Sequence, residues 1–133
     1  MTTDEWAKVR HFKASEFDSP DSPGSGHAGM DARFVTRLDE LRERWGKPMT
    51  INSGLRTQAH NAIVGGKPNS AHLRGLGADI KTAGLAEAIR LAVFAAMHGF
   101  VRIGIDQQGR FVHLDADAAL PSAQWWYHEG TFA

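Results

Sequence analysis

The sequence contains no cysteine, which excludes disulfides, thiolate metal sites and thiol nucleophiles together. It has no excess of either charge, since 15 Lys and Arg balance 15 Asp and Glu for a formal net charge of zero. So balanced a chain lacks the electrostatic footprint of a protein whose main partner is nucleic acid or an anionic membrane. Long apolar runs are missing too. The longest, Leu91-Ala-Val-Phe-Ala-Ala-Met97, falls far short of the roughly 20 residues that cross a bilayer. The start carries Asp4 and Glu5 where a secretory leader needs basic residues, and no apolar stretch follows. The expectation is a soluble chain, cytoplasmic at synthesis and without membrane insertion, for which export needs another route. What is present is ordinary globular material: 133 residues, 42% hydrophobic and 23% charged. That predicts one domain over residues 1–133 with a core large enough to need no staples.

The pattern along the chain supports an α+β domain. Residues 1–30 read as a loop-rich N-terminal segment, dense in turn formers over Asp18-Ser-Pro-Asp-Ser-Pro-Gly-Ser-Gly26. From Asp31, Phe34, Leu38, Leu41 and Trp45 recur at helical spacing until Gly46 closes the run. Met49-Thr-Ile51 is a short β-type run, Asn52-Ser-Gly54 a turn, and Thr57 the N-cap of a short helix to Val64. Ala78-Asp-Ile80 reads as a brief strand. Leu85, Ile89, Val93 and Met97 mark one face of a second long helix, with Gly99 just past its end. Val101–Ile105 and Arg110–Leu114, separated by Asp106-Gln-Gln-Gly109, read as a β-hairpin. The sum is a small antiparallel sheet with two principal helices on it.

Seven histidines are present, and a lone histidine is usually a surface or hydrogen-bonded residue. His98 ends a helix, where the macrodipole favours a partly cationic ring. His60 lies inside the short helix. His72 differs in its surroundings, Ser70-Ala-His72-Leu-Arg-Gly75-Leu-Gly77-Ala-Asp79. On one unbroken helix His72 and Asp79 would stand two turns apart, too far to share a small cation. Gly75 and Gly77 permit a loop that folds back, bringing imidazole and carboxylate to a common point. His113 on the hairpin can supply a second imidazole. Two imidazoles and one carboxylate suit catalytic zinc, with a fourth position left for water.

The ordered string Ser53-Gly-Leu-Arg56, Asn61-Ala-Ile-Val-Gly-Gly66, Pro68-Asn-Ser70, His72 through Asp79 and Phe111-Val-His113 resembles the peptidase M15 family. This family of zinc D-Ala-D-Ala carboxypeptidases belongs to the group that includes the hedgehog signalling domain. The closest likeness is to its small phage- and prophage-associated murein peptidases, and it runs from about His11 to Tyr127. The resemblance implies that His72, Asp79 and His113 bind zinc. It implies that Arg56 polarises the scissile carbonyl and steadies the oxyanion, a task suited to a permanently charged fork. Ser70 matches a serine beside the first ligand, a substrate or supporting contact. It also implies a peptidoglycan hydrolase that acts as a monomer on the cell wall after release, as an endolysin does, or from a virion of a bacteriophage.

One departure matters. Many relatives carry a histidine two residues before the last ligand or a glutamate three before it, where this chain has Phe111 and Arg110. Neither can take a proton from water as hydrolysis requires. Asp115 is the nearest replacement, since residues 113 and 115 of a strand share a face. Its carboxylate either serves as base or orients the ring of His113; Asp106 and Asp117 are weaker candidates. Trp125, Trp126 and Tyr127 either line a groove for glycan or peptide or pack the tail onto the domain, with at least one tryptophan outward. Two other readings compete. One is a zinc-stabilised, non-catalytic module that binds cell wall or protein. In the other, His113-Leu-Asp115 is half of a non-haem iron triad completed by His128, which needs a double-sheet barrel.

Overall fold

A computed structural model describes residues 1–127. His128 therefore lies outside the described residues. The chain forms α1 (Thr3–Ala7), α2 (Ser25–Gly29), α3 (Ala32–Trp45), β1 (Ile51–Ser53), α4 (Gln58–Ile63), β2 (Gly77–Lys81), α5 (Leu85–Met97), β3 (Arg102–Asp106), β4 (Phe111–Asp115) and β5 (Ala123–Tyr127). Tight 3-10 turns stand at Ala14–Phe17 and Ala71–Arg74. Two short helices thus order the stretch expected to be loop-rich. In α1 the Thr2 hydroxyl accepts from Glu5 N–H while the Glu5 carboxylate accepts from Thr2 N–H, a reciprocal capping box.

The strands form one sheet in the order β1-β2-β4-β3-β5. Every pairing is antiparallel except β3 with β5, which is parallel. The α+β fold with a mainly antiparallel sheet is as expected, and the aromatic tail adds a strand that pairs in parallel with β3 at the sheet edge. The Asn52-Ser53 turn is corrected. Both residues lie in β1, where Ser53 pairs with Asp79.

Strand alternation separates the sheet's two jobs. Ala78 and Ile80 of β2, Ile103 of β3, and Val112 and Leu114 of β4 point into the core. There they meet Phe34, Val35, Leu38 and Leu41 of α3 and Ala88, Leu91, Ala92 and Ala95 of α5. Helix α3 is set by Asp31, whose carboxylate accepts from Phe34 N–H at 2.9 Å, and stopped by Gly46 at φ +73°. The face of α5 is reversed relative to expectation. Leu85, Ile89, Val93 and Met97 are 40–75% exposed. The helix instead lays down its alanines, whose small side chains let it approach the strands more closely than a row of branched ones allows.

The intervening residues of the strands, Asp79, Arg102, Gly104, His113, Asp115, Trp125 and Tyr127, belong to the opposite face. The register stacks them: Asp79 opposite His113, His113 opposite Gly104, Gly104 opposite Trp125.

Candidate metal centre

His72 comes to this face from the 3-10 turn that precedes β2. Ser70 caps that turn, its hydroxyl accepting from His72 N–H at 3.2 Å. Gly75 reverses the chain at φ +68°, and a Cβ there would meet the Gly29 carbonyl oxygen at 2.0 Å, so only glycine fits. The reversal folds His72 back over Asp79. Ligand atoms of His72, Asp79 and His113 all lie within 4.8 Å of one another, and all three residues are buried. The structure thus brings together the three residues that the sequence singled out as a ligand set.

The partners behind each ring decide what faces the centre. His72 Nδ1 lies 2.7 Å from the Gly54 carbonyl oxygen, which can only accept, so that nitrogen carries the hydrogen and Nε2 keeps a lone pair. His113 Nε2 lies 2.7 Å from Asp115 Oδ2 and donates to it, so the neutral ring carries its lone pair on Nδ1. These two nitrogens approach Asp79 Oδ1 at 3.2 Å and 2.8 Å. Two lone pairs and a carboxylate oxygen converging on one point repel one another unless a cation stands among them. The donor set fits a divalent metal such as zinc and leaves room for a further ligand.

The electrostatics agree. Burial would raise the Asp79 carboxyl, but the charge of His72 and hydrogen bonds with both rings hold it well below its ordinary value. Burial lowers His72. His113 is raised despite burial, because its bonds to Asp115 and Asp79 favour the protonated ring. Without metal, a proton answers the same demand for positive charge.

Arg56 lies beside the cluster, 4% exposed. Its Nη2 is 3.4 Å from Asp79 Oδ2, its Nε donates to Ser53 Oγ at 3.0 Å, and Nη1 donates to Asn61 Oδ1 at 3.2 Å. Its backbone N–H donates to the His72 carbonyl at 3.0 Å, so the first ligand and the arginine are pinned together. Arg56, Asp79, Ser53, His60 and Phe111 line an open groove of about 280 Å³, which reaches the guanidinium and the carboxylate of the cluster.

Other expectations change with the geometry. Asp115 shares the sheet face of Asp79 and His113 but stands behind the His113 ring, on its Nε2 side, away from the Nδ1 that approaches Asp79. It is 1% exposed, and its oxygens are occupied by His113, by Arg102 Nε at 2.7 Å and by Asp117 N–H at 3.1 Å. It orients a ring; it is not placed to receive a proton from water in the groove. Asp106 is committed to Arg110, whose Nε donates to it at 2.8 Å, and Asp117 to Arg74 at 2.7 Å and Ala119 N–H at 3.0 Å. Ser70 serves as a cap. Trp126 is 50% exposed while Tyr127 is buried, and the Trp125 and Tyr127 rings stand 5.7 Å and 6.2 Å from that of His113. The iron reading loses its architecture, since among the described residues helices flank one five-stranded sheet rather than a double-sheet barrel, and the Asp115 oxygens are taken by His113, Arg102 and Asp117. Sequence reasoning missed Arg102, the Gly54 carbonyl and the support that Asn61 gives Arg56. The signal for Arg102 was its alternation with Gly104 on the hairpin strand.

Residues 10–115 match the family model described as Peptidase M15. Over 68 residues the chain is 41% identical to the zinc D-Ala-D-Ala carboxypeptidase of Streptomyces albus G, which covers 50% of this chain and 26% of that protein. The matched region therefore spans about a quarter of the relative's length. The family match takes in all three cluster residues, Arg56 and the strands that carry them, and on that extent the chain belongs to the peptidase M15 family.

Proposed function

We propose that this protein is a zinc-dependent peptidase that hydrolyses peptidoglycan stem peptides at or near a D-Ala bond. The observation that carries the reading is the convergence of His72 Nε2, Asp79 Oδ1 and His113 Nδ1 beside a buried, forked cation on an open groove. The name of the Streptomyces relative supports both the metal and the substrate class. A zinc ion held by these three residues supplies a Lewis acid that lowers the pKa of water and polarises a carbonyl.

The chain's own residues do the rest. Arg56 presents a permanent charge, fixed by Ser53 and Asn61, to the oxygen of the scissile carbonyl, where negative charge develops. Burial lowers its pKa and Asp79 opposes that, yet guanidinium starts so far above neutrality that it remains charged. Gly54 and Asp115 fix which nitrogen of each neutral ring carries hydrogen, so His72 Nε2 and His113 Nδ1 are the atoms that would meet the metal. Within this reading the chain works as a monomer on the wall, in the manner of a phage or prophage endolysin, delivered after cytoplasmic synthesis by lysis or on a virion. The likeness of its motif string to small phage-associated murein peptidases supports that setting.

The test is mass spectrometry of muropeptides after purified sacculi are incubated with zinc-loaded protein. New amine and carboxylate termini at a D-Ala bond are expected. His72→Ala should lose both zinc and cleavage, and Arg56→Met should keep zinc and lose cleavage by on the order of 100-fold or more, the scale of a lost oxyanion donor. Sacculus binding with no new termini would replace the enzyme by a zinc-stabilised binding module. Full cleavage by metal-free His72→Ala would remove the mechanism.

A further inference from the structure

We propose that Arg102 is a positioning residue for the metal centre: acting through Asp115, it fixes the ring of His113 with Nε2–H turned inward and Nδ1 turned to the cluster. The inference rests on the metal-centre reading above. Arg102 belongs to β3 and is not one of the three ligands.

Arg102 sits opposite Asp115 in the β3–β4 register. Its Nε donates to Asp115 Oδ1 at 2.7 Å, its Nη1 donates to the Pro121 carbonyl at 2.5 Å, and its Cζ stands 5.0 Å from the centre of the Trp125 ring. The side chain is 13% exposed and that of Asp115 wholly buried. This is not a solvated surface pair, which would contribute little.

The two oxygens of Asp115 have different partners. Oδ1 receives two donors, Arg102 Nε–H and Asp117 N–H, while Oδ2 meets His113 Nε2 alone. With Oδ1 occupied, the carboxylate cannot rotate without breaking both bonds, so Oδ2 stays on the imidazole. An ionised carboxylate only accepts. It therefore requires hydrogen on Nε2 and leaves Nδ1 bare for a cation. Were Asp115 displaced, hydrogen could settle on Nδ1 and point into the cluster. Arg102 prevents this with a charge that never leaves, in a fork whose second arm is tied to the chain before β5. The same guanidinium lies against Trp125, whose ring flanks His113 at 5.7 Å. One residue thus braces both the hydrogen-bond partner and an aromatic wall of the third ligand.

The experiment measures zinc affinity by chelator competition at neutral pH, together with the visible spectrum of the cobalt-substituted protein. It compares the full chain with Arg102→Met, Arg102→Lys, Asp115→Asn, the Arg102→Met/Asp115→Asn double variant, and His72→Ala. Arg102→Met is expected to weaken zinc about 10–100-fold, the range for groups that orient a ligand. Arg102→Lys should recover part of the loss by restoring charge, and both should shift the cobalt bands. Asp115→Asn should weaken zinc by a similar factor, and the double variant by little more than either single, because the two act in series. Wild-type zinc affinity and cobalt bands in Arg102→Met, with only the metal-free melting temperature lowered, would overturn the proposal and leave a structural ion pair. If Arg102→Met does not fold, Arg102→Lys and Asp115→Asn decide, and unchanged affinity in both is equally fatal. Zinc binding by the wild type that His72→Ala does not weaken would instead overturn the metal-centre reading, and this inference with it.

Discussion

Replacing Asp79 by asparagine keeps the shape of the side chain and removes the one formal negative charge in the ligand set. In the metal-free protein the carboxylate lies 2.8 Å from His113, 3.2 Å from His72 and 3.4 Å from Arg56. Deleting one partner of a buried ion pair costs about 3–5 kcal/mol. Asparagine retains volume and an accepting oxygen, so the expected loss lies at about 2–3 kcal/mol. With zinc the difference widens. Loss of a supporting group outside the ligand set already weakens metal binding about 10–100-fold, so loss of a ligand should reach on the order of 100-fold or more. At a free zinc concentration 100 times the wild-type dissociation constant, zinc stabilises the wild type by about 2.7 kcal/mol and Asp79→Asn by less than about 0.5 kcal/mol. Urea denaturation of both proteins, in chelator and in zinc, reads the two quantities separately. An Asp79→Asn protein that keeps the full zinc-dependent stabilisation would refute the assignment of Asp79 as a ligand.

Two further outcomes follow from the geometry. A Cβ at Gly104 would lie 2.4 Å from Tyr127 Cε2 and 2.7 Å from Trp125 Nε1, so Gly104→Ala should destabilise the fold by about 1–3 kcal/mol through overpacking and shift tryptophan fluorescence as β5 moves; a wild-type denaturation curve would contradict the placement of β5. In chelator, melting temperature should fall steeply below about pH 4, because Asp79, Asp106 and Asp115 are held below the ordinary 3.8. Their contribution is complete above that value and is lost as pH falls through the folded-state values. His72, held below 6.5, adds loss in the same direction, whereas the raised His113 contributes below 6.5 and loses its share as pH rises. Equal melting temperatures at about pH 3 and pH 6 would show that these carboxyls are not held as the structure has them.

Much of the site was legible because its local chemistry is local in sequence. Gly75 and Gly77 announce a chain reversal, and a reversal is what turns a seven-residue separation of His72 and Asp79 into a 3.2 Å approach. The hairpin was legible to within a residue at each end, but that residue mattered: strands beginning at Val101 and Arg110 put Arg102 opposite His113, whereas the observed register puts it opposite Asp115. A shift of that kind moves a partner without altering any apolar pattern. The face of α5 was misread because Leu85, Ile89, Val93 and Met97 form the stronger apolar row, while burial went to Ala88, Leu91, Ala92 and Ala95. Periodicity shows that a face exists; which face packs depends on how close the sheet comes. The parallel entry of β5 left no mark in the sequence, since strand direction at an edge is set by the path of the chain and not by its residues.

The alternation of β2 and β4 has one more consequence. Asp79 lies between Ala78 and Ile80, and His113 between Val112 and Leu114, so each strand wears its ligand and its grease on opposite sides. Sliding either strand by a single position would thrust an ionised side chain among aliphatic ones and strand Ile80 or Leu114 in the wet groove. Misalignment is thus penalised twice, by lost burial and by desolvated charge. A copy of this chain that has found its proper pairing has, in the same event, assembled its grip on the ion.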